Sequence, residues 1–86
     1  MYKLTRNAEN RFIIQSDSLY DIFNYLAPLV DKKQNYSPET LDIPGHNGGL
    51  SVEYMLHHAK GTTDCVNILL KCHQLRGKFT LTAEID

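Results

Sequence analysis

Thr62-Thr63-Asp64-Cys65-Val66-Asn67-Ile68-Leu69-Leu70-Lys71-Cys72-His73-Gln74-Leu75-Arg76-Gly77 is the stretch whose reading decides the fold. Two periods fit it. As a helix, Thr62 or Thr63 caps the start, Gly77 closes the end, and Cys65, Ile68, Leu69, Cys72 and Leu75 form a stripe. As a strand, Val66, Ile68, Leu70 and Cys72 alternate with polar neighbours. The flanking sequence favours the strand. Leu50, Val52, Tyr54 and Leu56 alternate before it, and Phe79, Leu81, Ala83 and Ile85 alternate after it. A turn at Gly61 and another through Gln74-Leu75-Arg76-Gly77 then place all three apolar sets on one face. The helix leaves Val66 and Leu70 off its stripe. The expectation is therefore a three-stranded meander over residues 50–86.

Working back from this segment, residues 18–31 carry Leu19, Ile22, Phe23, Leu26 and Val30 at helical spacing. Ser18 stands three residues before Asp21 in the manner of a capping box, and Ser16 and Asp17 are alternative caps. Pro28 removes a helical hydrogen bond, so the helix kinks there or ends near Tyr25, with Pro28 opening a further turn. Residues 2–15 read as a hairpin turning at Asn7-Ala8-Glu9-Asn10, with Tyr2, Leu4, Phe12 and Ile14 as the candidate inner face. Residues 34–49 are the loosest part, with Ser37-Pro38 suited to a short helical turn and Pro44-Gly45-His46-Asn47-Gly48-Gly49 excluding regular structure. The fold class expected is α+β: a single domain over residues 1–86, in ββαβββ order, its antiparallel sheet covered on one face by one main helix.

Composition bounds the function. The chain has 86 residues, 9 Lys+Arg against 10 Asp+Glu, and 42% hydrophobic residues. That suffices for one modest core and is too apolar for a disordered chain. A net charge of −1 leaves no basic footprint for nucleic acid. No apolar run approaches a membrane span, and Met1-Tyr2-Lys3-Leu4-Thr5-Arg6 lacks a signal-peptide core. The expected location is the cytoplasm, where Cys65 and Cys72 stay reduced. Their spacing also argues against a bond between them, since a strand sends them to opposite faces and a helix holds them too far apart.

In the meander, the outer face carries rows such as Glu53, Leu69, Thr82 and Met55, Asn67, Glu84. Another row, His57, Cys65, Asp86, contains the ingredients of an activated thiol, but shows neither cleft nor oxyanion hole. His57, His58, Cys65, Cys72 and His73 offer zinc-type ligands without a zinc-type spacing. Tyr20, Tyr25 and Tyr36 fall off the core stripe or in the loop and suit an interface as well as a helix flank. Gly45-His46-Asn47-Gly48 resembles a short motif of peptidyl-tRNA hydrolases. The likeness covers four residues, Gly49 replaces the leucine that follows in those enzymes, and no residue roles carry over.

The function expected from these features is non-enzymatic, with no catalytic residues, no metal and no cofactor. The chain reads as a protein-binding module, a small inhibitor or adaptor of the kind phages and mobile elements encode. Its surface is the outer sheet face (Glu53, Met55, Asn67, Leu69, Thr82 and Glu84) or an edge strand, with His46 and Asn47 as loop contacts. The partner is another protein, or a second copy in a homodimer. The alternative is a small-molecule or metal-binding protein using loop 44–49 or the His/Cys set.

Overall fold

A computed structural model describes residues 1–36 and 50–84. The hairpin forms as expected: β1, Tyr2–Arg6, and β2, Arg11–Ser16, run antiparallel around a 3-10 turn at Asn7–Glu9. Asn10 closes that turn at φ 49°, a left-handed conformation that asparagine tolerates better than most residues. The register slips by one residue, since Leu4 faces Ile14 but Thr5 faces Phe12. Ile13 is thus a bulge residue, and Ile13 and Ile14 both pack against the core. The expected inner face keeps Tyr2, Leu4 and Ile14. Phe12 is turned to the outer face, 50% exposed, with the Lys3 ammonium 5.5 Å from its ring centroid. No sequence pattern marked the bulge.

α1, Leu19–Leu26, begins at Ser18, whose Oγ accepts from the Tyr20 N–H at 3.2 Å. Ser16 supports this cap. Its hydroxyl accepts from the Ser18 N–H and donates to Asp21 at 2.6 Å. The helix ends before Pro28, which sits in a 3-10 turn over Ala27–Leu29. Ile22 and Leu26 are fully buried.

The meander is corrected by two helices. α2 spans Val52–His57 and α3 spans Thr62–Lys71; only β3, Phe79–Ala83, remains of the three expected strands. The element order is ββαααβ rather than ββαβββ, and the helical layer has three members rather than one. Local chemistry explains the outcome. Ser51 Oγ accepts from the Tyr54 N–H at 3.1 Å and caps α2, with Glu53 in its first turn. α3 starts at Gly61, not at a threonine side chain, and Asp64 reaches back to the Lys60 N–H at 3.0 Å. Asp64 in the first turn and Lys71 in the last complement the helix dipole. In a run as apolar as Val66–Leu70, alternation and helical spacing are both satisfied. Val66, Ile68 and Leu69 are the residues the helix buries, and Cys72, just past its end, is buried with them. Gly77 adopts φ +78° in the turn that leads into β3.

The sheet order is β2-β1-β3, antiparallel throughout. Leu4, on the central strand, is completely buried against Ile22, Leu26, Val52, Val66 and Leu69. Each such side chain contributes about 1.5–3 kcal/mol of burial. Residues 31–36 are stitched to the rest by backbone bonds from Tyr36 to Leu50, Val52 to Gln34 and Glu53 to Lys32. The Gln74 amide clamps Asp31, accepting from its N–H at 2.9 Å and donating to its carbonyl at 3.0 Å.

The helix and strand assignments of α3 give opposite mutational results. Leu69→Ala should cost about 2–5 kcal/mol in denaturant unfolding, as for any large core truncation. Asn67→Ala, on the exposed side of α3, should stay within about 0.5 kcal/mol. A meander would make Leu69→Ala nearly silent.

Candidate functional site

The side chains expected to share an outer sheet face do not share one. Glu53 and Met55 lie on α2, Asn67 and Leu69 on α3, and Thr82 on β3, with Glu84 just beyond it. Leu69 is in the core with no exposed surface, so it is not a surface contact. Glu53, Asn67, Thr82 and Glu84 are exposed, and Met55 is half-buried. His46 and Asn47, with the whole Gly-rich loop 44–49, lie outside the described residues, as does Asp86.

The cross-strand thiol row dissolves for the same reason. His57 is exposed at the end of α2, its ring 5.1 Å from that of His58, whereas Cys65 is half-buried on α3. Cys72 is buried, and its thiol donates to the Leu69 carbonyl at 3.1 Å. Both cysteines are free. Among the described residues, no three His, Cys, Asp or Glu side chains come together as a metal-ligand set.

Among the described residues, a groove of about 640 Å³ lies at one end of the sheet. Its base and walls come from Leu29, Leu75 and Phe79, and its polar rim from Arg6, Glu9 and Lys78. Leu75 is buried, Phe79 half-buried and Leu29 45% exposed. Three pieces of chain build it: residues 6–9 of the hairpin turn, Leu29, and residues 75–79. Pro28 breaks α1 and sends Leu29 outward, the Gly77 turn brings in Leu75, and β3 delivers Phe79 opposite Arg6. The Arg6 guanidinium lies 5.6 Å from the Phe79 ring centroid and 3.9 Å from the Glu9 carboxylate. Tyr25 meets the same ring edge-on at 6.3 Å.

Asn7 fixes the groove's floor to its rim. Its backbone N–H donates to the Lys78 carbonyl at 2.9 Å and its side-chain amide to the Gly77 carbonyl at 2.9 Å. Its side-chain oxygen accepts from the Thr80 hydroxyl at 2.6 Å. The sequence marked Asn7 only as a turn residue, because its partners lie far along the chain. Leu29 was equally illegible. Its exposure follows from the 3-10 turn that Pro28 opens.

Elsewhere, burial raises the Tyr36 hydroxyl above its ordinary pKa of 10.0, reinforced by the nearby Cys72 and Asp64 and opposed by Arg76. Tyr36 is tied in by its backbone, whose carbonyl accepts from the His73 N–H at 2.8 Å.

No known protein family, curated protein or solved structure matches the chain.

The Tyr36 shift has a signed consequence. The fold favours the neutral phenol, so its contribution is intact below pH 10 and is lost as pH rises through the raised folded value. Tyr36→Phe should therefore flatten the fall of stability above pH 10, read from denaturant midpoints across that range. An unchanged alkaline slope would contradict the assignment.

Proposed function

We propose that the protein is a non-enzymatic binding module, a small cytoplasmic inhibitor or adaptor that docks another protein. The observation that carries this reading is the end-of-sheet groove, where an exposed leucine and a half-buried phenylalanine sit beneath a cationic rim. An apolar floor with a few polar groups at its edge suits a hydrophobic anchor side chain. Arg6 and Lys78 outweigh Glu9 by one charge, which selects an anchor that carries a carboxylate beside it. The groove is open rather than enclosed, which suits a segment laid across it.

Two further features support the reading. Neither cysteine is in a disulfide, which suits a cytoplasmic setting, and no described helix is long and apolar enough to cross a membrane. A source in a phage or mobile element fits a compact domain of this kind and rests on that generality alone. The groove's volume also falls in the range of small-molecule sites, which favours a small apolar anion as the second occupant.

Affinity purification of the tagged protein from its native lysate, beside a Leu29→Asp variant, tests the proposal. One stoichiometric protein should co-purify with the wild type and be lost with Leu29→Asp, while thermal unfolding of the variant stays close to wild type because Leu29 is already exposed. A partner retained by Leu29→Asp, or none at all, would overturn the groove as a protein-docking site. A bound small molecule in place of a protein would transfer the groove to the second occupant.

A further inference from the structure

The sheet has two edges, and they are built differently. β2 carries a bulge and Arg11, both of which discourage strand pairing. β3, Phe79-Thr80-Leu81-Thr82-Ala83, has no charge, no proline and an unbroken register with β1. The ladder fixes which backbone groups it leaves over. Glu84 donates to the Met1 carbonyl and Asn7 to the Lys78 carbonyl, so residues 78, 80, 82 and 84 turn their backbone groups toward β1. Phe79, Leu81 and Ala83 therefore direct theirs to the open edge, and among the described residues nothing bonds them. The same three residues point their side chains inward, yet Phe79 and Leu81 are only half-buried and Ala83 is exposed, whereas Leu4 beside them is completely buried.

We propose that this edge pairs with β3 of a second copy of the chain, forming a continuous six-stranded antiparallel sheet. The sequence of the edge is complementary to itself in one register. With Leu81 on the two-fold axis, Leu81 faces Leu81 and Phe79 faces Ala83 of the second copy, so all three open residues are used on both sides. The alternate positions then place Thr80 opposite Thr82, and Lys78 opposite Glu84, twice each. Lys78 and Glu84 are both exposed, and neither has an ion-pair partner among the described residues. Threonine pairs and opposite charges are favoured across strands, most of all at positions without backbone bonds, where side chains approach closest. Shifting the register by two residues separates the charges and loses one of the three pairings. The second copy also covers the apolar side chains that the helices leave half-open. This association shares Phe79 and Lys78 with the groove, but Leu81, Thr82, Ala83 and Glu84 lie outside it, and Leu29 and Leu75 take no part in the pairing.

Sedimentation velocity on purified wild-type protein, from about 1 μM to about 1 mM, reads the association directly. The expected species is twice 9.8 kDa. Lys78→Glu and Glu84→Lys should each raise the dimer dissociation constant roughly tenfold through two like-charge contacts, and the double reversal should restore it. Ala83→Pro removes an outward N–H without touching the bonds to β1 and should leave a folded monomer, checked by circular dichroism. A wild type that stays monomeric throughout, or a dimer indifferent to both reversals, would overturn the proposal. Leu29→Asp, which alters the groove but not this edge, should leave the dimer dissociation constant unchanged, so failure of the dimer and failure of the groove are distinguishable.

Discussion

The pairing of β1 with β3 is the constraint on which the rest of the structure depends. It joins residues 2–6 to residues 79–83, and everything between must fold back over the resulting sheet. Closing so long a loop costs conformational entropy, which only a shared core offsets. Leu4 supplies the centre of that core. It lies on the middle strand, and α1, α2 and α3 each bury at least one side chain in its cluster. Asn7 then extends the pairing past the strand, gripping Gly77, Lys78 and Thr80 with backbone and side chain together.

Both candidate interaction surfaces are products of that pairing. The groove exists because β3 carries Phe79 to Arg6 while the Gly77 turn leaves Leu75 beneath them and Pro28 turns Leu29 outward. The open edge exists because β3 closes onto β1 and no further strand follows on its other side among the described residues. A bulge protects β2 and leaves β3 as the flatter of the two edges. One contact thus sets an anchor site and a pairing edge side by side. That arrangement is the basis of the two proposals, a partner protein anchored at the groove and a second copy paired at the strand.

The sequence made some of this legible and hid the rest for identifiable reasons. The hairpin and α1 were plain, because Asn7-Ala8-Glu9-Asn10, Ser18 and Pro28 act locally and their effects are felt within a few residues. The segment 50–71 was misread as strands because an apolar density as high as Val66-Asn67-Ile68-Leu69-Leu70 satisfies a period of two and a period of 3.6 equally. The local signals on the helical side are the Ser51 cap of α2 and the first-turn Asp64 of α3, which holds the Lys60 N–H, against cross-strand registers that matched on paper. The expected outer face falls with the strands: Leu69, at its centre, is in the core of a helical layer. Of those residues, Thr82 and Glu84 do lie along the β3 edge. Phe12 and Leu29 were exposed by a bulge and a broken helix, neither of which leaves a periodic trace.

The most direct test of the central pairing is amide hydrogen exchange, resolved by residue, on dilute protein. The Thr80 and Thr82 amides should exchange slowly, held by β1, while those of Phe79, Leu81 and Ala83 exchange quickly at the open edge. Protection should also run unbroken along residues 66–71, as in a helix. Alternating protection within residues 66–71, or rapid exchange at both Thr80 and Thr82, would contradict the architecture and both surfaces derived from it.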